Sequence, residues 1–145
     1  MADGVFNIAK GGVAEKIRGG ATNLTVVLLS VAEVDASLSD YADMAALLVA
    51  SNTEATFTNY ARKTGITGII AVDNTNERVD CSCADQTWLT AGGAINNTLV
   101  KAIVCYSQGA GDANLIPLTY HDFTPTTDAS DLTVKFAAAG FYRAS

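Results

Sequence analysis

The chain is predicted to fold as a mainly β, α+β protein: a compact antiparallel β-sandwich or barrel with one clear helix and an N-terminal arm. Three observations predict it. Residues 24–31 are a run dominated by aliphatic and β-branched side chains, and residues 99–106 are a second, largely apolar run, both with the length and composition of strong strands. From Ile66 onward, short apolar or alternating runs follow one another at close spacing, separated by clusters of Gly, Asn and Asp. Only one stretch, from Leu38 to Leu48, repeats its apolar residues at the three- and four-residue intervals of a helix.

The first twenty residues read as an arm. Val5, Ile8, Val13 and Ile17 are apolar, but Gly11-Gly12 interrupts them, and each glycine weakens a helix by about 1 kcal/mol. Gly19-Gly20 then breaks the chain ahead of the first strong strand. The expected division is an arm over residues 1–20 and a single β-rich domain over 21–145, a size within the ordinary range of one domain. Val5, Phe6 and Ile8 are too apolar to stay in water, and the glycine pairs oppose an independent helix. The arm is therefore expected to order by docking, on a neighbouring subunit or back on its own domain. Lys10, Lys16 and Arg18 would add pairing with acids there. These six residues, Val5, Phe6, Ile8, Lys10, Lys16 and Arg18, are the candidate interaction residues.

After the first strand, residues 35–40 supply several helix N-cap candidates, and Leu38, Tyr41, Met44, Ala45 and Leu48 follow on one face. They predict one helix of about three turns ending near Asn52. Residues 55–62 alternate around Phe57 and Tyr60, and residues 66–72 resume an apolar run. The turn formers of residues 73–77 precede an alternating run containing Val79, Cys81 and Cys83, which predicts a hairpin. Gly109-Ala110-Gly111-Asp112 turns the chain after the second strong strand. Runs over residues 115–120, 131–136 and 141–143 complete the β series.

Charge and chemistry exclude several function classes. Charged residues make up only 17%, and the net charge of −6 with 9 scattered basic residues argues against nucleic acid as the partner. No apolar run approaches the roughly 20 residues of a membrane span, and the N-terminus has no secretory signal pattern. The 3 cysteines suit small buried hydrophobes in a reducing compartment. Cys81, Cys83, Cys105 and His121 are poor zinc candidates, because Cys-x-Cys is not the knuckle spacing and the other two lie on separate strands. His121-Asp122 invites a base-and-orienter reading with Ser107 or Ser130 as nucleophile, but adjacent strand residues face opposite ways and no nucleophile elbow occurs. Asp73, Thr75 and Glu77 begin like a calcium loop, yet its required glycine and final acid are replaced by Arg78 and Ala84. Gly109 to Asp112 lacks the Lys and helix start of a phosphate cradle. No enzyme activity, cofactor or metal is expected.

Laid end to end, the segments resemble a group of small virion structural proteins of tailed double-stranded DNA bacteriophages, particularly those of actinobacteria. The matching stretches include residues 5–11, Ala36-Ser37-Leu38-Ser39-Asp40-Tyr41, Asn59-Tyr60-Ala61-Arg62-Lys63, residues 73–80, Asp85-Gln86-Thr87-Trp88, residues 116–123 and residues 138–145. They run in order along nearly the whole chain, and none is a chemical motif. The resemblance implies a capsid decoration or cement protein in the virion, assembled in the bacterial host cytoplasm, with the major capsid protein and copies of itself as partners. A tail, neck or tail-tip component is the alternative it leaves open. The low charge and the Ala-, Thr-, Asn- and Gly-rich composition agree with permanent subunit contacts, whose buried centres are depleted of charge.

Overall fold

The computed structural model describes residues 3–9 and 22–145. Its centre is strand β2, Leu24–Val31, in which Leu24, Val26, Val27, Leu28 and Leu29 are fully buried. A strand buried on both faces has no need of polar alternation, which is why Val26 to Leu29 are apolar without a break. Each of these side chains contributes about 2 kcal/mol of burial. The first strand in the chain, β1 (Gly4–Val5), is followed by a 3-10 turn over Asn7–Ala9.

Beyond β2 come two short helices, α1 (Asp35–Leu38) and α2 (Met44–Val49), and then β3 (Thr53–Glu54) and β4 (Lys63–Ile66). Strands β5 (Ile69–Asp73) and β6 (Arg78–Ser82) form the expected hairpin, followed by β7 (Gln86–Trp88). The chain ends with β8 (Lys101–Ser107), β9 (Leu115–Asp122), β10 (Leu132–Val134) and β11 (Tyr142–Ala144). Every strand pairing among the described residues is antiparallel. The largest sheet runs β1-β9-β8-β2-β3 with β4 also on β2, and smaller sheets are formed by β10-β7 and β11-β6-β5. The mainly β, antiparallel class is thus as the sequence predicts. No helix among the described residues is long and apolar enough to cross a membrane.

One edge of β2 is shared. Its Leu24–Val26 end pairs with β4 and its Leu29–Val31 end with β3, leaving a gap between them. The Tyr60 hydroxyl fills that gap by accepting from the Leu28 N–H at 3.2 Å, and Ala55 N–H donates to the Leu28 carbonyl. Residues 55–62, which alternate around Phe57 and Tyr60 in sequence, form an irregular cover whose aromatic rings pack on the core. Phe57 packs on Tyr60, Tyr60 stacks on Trp88, and the Trp88 indole donates to the Ala61 carbonyl at 2.7 Å. Arg62 ties this cover down with two 2.7 Å bonds to Glu54 and an ion pair to Asp112.

The single helix expected between Asp35 and Asn52 is divided in two. The Ser39 carbonyl, which would accept from Asp43 in a continuous helix, instead accepts from Asn7 N–H at 2.8 Å. The Asn7 side chain also donates to Asp40 at 2.6 Å. Asp43 is extended, and its carboxylate accepts from Ala46 N–H at 2.8 Å, so it caps a new helix rather than continuing the old one. Docking of the N-terminal segment thus competes with the helical ladder at that point and wins.

Between β8 and β9 the register shifts at Val104/Cys105, where Pro117 has no N–H to give to the ladder. The Leu118 carbonyl beside it accepts instead from Phe6 N–H at 3.1 Å.

Candidate functional site

Among the six residues expected to make contacts, the structure separates those of the arm's first turn. Phe6 is fully buried, its ring edge-on to Tyr120 at 5.4 Å. Val5 is half-buried and pairs with Thr119 through β1 and β9. Ile8 is exposed. Lys10, Lys16 and Arg18 lie outside the described residues. Of the two dockings expected for the arm, Phe6 takes the one on its own domain: it plugs the core there, because the β9 edge and the Tyr120 ring make a seat for it. Gly4 leaves room beside that seat, since a Cβ there would run into the tip of the Tyr120 ring and displace it.

Beside β1 is a cleft of about 430 Å³, lined in part by Asp3, Val5, His121, Lys135, Phe136 and Arg143. The His121 Nε2 lies 2.9 Å from the Thr119 hydroxyl, and its Nδ1 lies 3.7 Å from the Asp3 carboxylate. Burial of the ring pushes its pKa below the ordinary 6.5, with the Asp3 charge working in the opposite direction. Asp122 turns away from its neighbour His121 to pair with Lys101 at 2.6 Å. The Ser107 hydroxyl is spent on the Gly109 carbonyl and that of Ser130 on Asp128. The structure does not bring His121, Asp122 and either serine together.

The cysteines are likewise dispersed. Cys81, Cys83 and Cys105 are free and buried, and burial raises all three thiol pKa values, that of Cys83 to about 12. Among the described residues no group of three His, Cys, Asp or Glu side chains is arranged to hold a metal. The Asp73 carboxylate accepts from Thr75 N–H and Asn76 N–H at 3.1 Å each and from the Asn76 amide at 2.8 Å, so its oxygens build the hairpin turn. These bonds also hold its pKa below the ordinary value.

The feature the sequence left unmarked is apolar and exposed. Val31 at the end of β2, Val34 at the entry to α1 and Val49 at the end of α2 are exposed, Val49 by 88%. Asn52 ties their three segments together. It accepts from Glu33 N–H at 2.8 Å and donates to the Glu33 carboxylate at 2.8 Å and to the Leu47 carbonyl at 3.0 Å. Strand β3 then pairs Thr53 with Val31. The local charge is used internally, because the Glu33 carboxylate also accepts from the Tyr41 hydroxyl at 2.7 Å. That bond, with burial and the Glu33 charge, raises the Tyr41 pKa. The available signal was phase: Met44, Leu47 and Leu48 share a helix face that Val49 does not.

No family model, curated protein or solved structure matches the chain.

Proposed function

We propose that this chain is a bacteriophage virion structural protein, a decoration or cement protein that binds the outer capsid lattice and holds the shell against the pressure of packaged DNA. The observation that carries the reading is the exposure of Val31, Val34 and Val49 on segments that Asn52 ties together by hydrogen bonds. Exposed large apolar side chains suit a contact surface, and hydrogen bonds that hold their segments together reduce the conformational entropy lost on docking. The resemblance of the ordered segments to phage virion proteins supplies the partner, the major capsid protein.

The test is to mix the purified protein with capsids assembled from the major capsid protein of the phage that encodes it. Saturable binding, lost in Val49→Lys, is expected. Absence of binding, or binding indifferent to Val49→Lys and Val34→Lys, counts against the reading.

A further inference from the structure

Strand β5 lies at the edge of its sheet: among the described residues, β6 is its only strand partner. The two pair at five consecutive positions without a bulge. Edge strands are ordinarily blunted by charge, proline, bulges or shortness. The β5 sequence, Ile69-Ile70-Ala71-Val72-Asp73, has no proline and no basic residue. Its one charge, Asp73, is turned into its own hairpin by Thr75, Asn76 and Arg78. Ile69 is 51% and Val72 66% exposed. Among the described residues, apolar side chains and a row of backbone hydrogen-bonding groups thus lie open along the same edge.

We infer that β5 is a dimerisation strand, pairing antiparallel with β5 of a second copy across a two-fold axis at Ala71. A two-fold perpendicular to the sheet keeps each face on its own side, so only residues of the same parity can be opposed. The register that uses all five residues sets Ile70 against Val72, Ile69 against Asp73 and Ala71 against itself. Alternate residues of β5 turn their N–H and C=O groups away from β6, and this register opposes them to residues of the partner that do the same. The Ile70–Val72 pairs extend the apolar row that already contains Val79 and Cys81. No like charges meet, because Asp73 is set against Ile69. Ala71 keeps the axis clear of bulk. A second copy is the fitting occupant because the strand is complementary to itself, and the contact closes as an isologous pair with a six-stranded β11-β6-β5-β5-β6-β11 sheet.

The inference stands on strand geometry and does not depend on capsid binding. Sedimentation of the full-length protein is expected to give a concentration-dependent monomer–dimer equilibrium. Ala71→Lys places two like charges at the axis and weakens it roughly tenfold or more, whereas Val49→Lys leaves it unchanged. In Ala71→Cys, a short thiol-reactive cross-linker links two chains through that position. A wild-type protein that stays monomeric, or a dimer that Ala71→Lys leaves at full strength, overturns the inference. Should Ala71→Lys lose its fold, the cross-link decides: linked dimers support β5 pairing, and persistent monomers contradict it.

Discussion

The Phe6 ring meets Tyr120 edge-on, with centroids 5.4 Å apart and planes at 89°, across the pairing of β1 with β9. This contact makes the start of the chain part of the core. Phe6 is fully buried, so Phe6→Ala removes transfer energy and leaves a cavity, and a loss of about 3–5 kcal/mol is expected. Urea unfolding measures it. A loss below about 1 kcal/mol would mean that the segment is an appendage after all.

Gly140 is held at φ +81, and a Cβ there would lie 2.0 Å from the Cys81 carbonyl oxygen. That oxygen belongs to backbone already bonded by Phe141 N–H at 2.9 Å and cannot yield cheaply. Gly140→Ala is expected to destabilise the protein by about 2 kcal/mol or more and to loosen β11 from β6. Hydrogen exchange at residues 142–144 reads the loosening. Unchanged protection would refute it.

His121 makes stability depend on pH with a defined sign. Its folded pKa lies below 6.5, so the unfolded chain binds more protons between the two values. The contribution is complete above pH 6.5, falls as pH drops through that window, and is constant below the folded pKa. Because the chain has 1 His, one imidazole resonance reports it directly. A titration midpoint below 6.5 is expected, together with a smaller stability loss on acidification in His121→Gln. A midpoint at or above 6.5 would contradict the burial argument.

The thiols should be silent in the native state. Cys81, Cys83 and Cys105 are buried with raised pKa values, so a disulfide reagent near neutral pH should label none until denaturant is added, and then all three. Stoichiometric labelling of the folded protein would place at least one thiol at the surface.

What the sequence made legible was whatever neighbouring residues decide among themselves. Strand β2 announces itself because burial on both faces removes polar alternation, and the β5–β6 hairpin because Asp73, Thr75 and Asn76 settle their turn within four residues. The helix was legible as a phase but not as two pieces, since the break comes from Asn7, far away in sequence, taking the Ser39 carbonyl. The same distance hid the seat of Phe6, which is built from Leu118 and Tyr120. The inward turn of residues 55–62 was hidden too, because the gap that Tyr60 fills exists only once β3 and β4 have divided the edge of β2. The exposed valines were harder still: Val49 closes an apolar run, residues 44–49, and only its helical phase marks it as outward, while the ties of Asn52 to Glu33 and Leu47 span distant stretches of the chain.

The most direct test of the virion reading is quantitative mass spectrometry of purified particles of the phage that encodes this chain, scaled to the major capsid protein. A decoration protein is predicted to be present on the order of hundreds of copies per particle, following the lattice symmetry. A count of about six, or a small multiple of it, would move the protein to a tail or neck ring, and its absence from the particle would contradict the account.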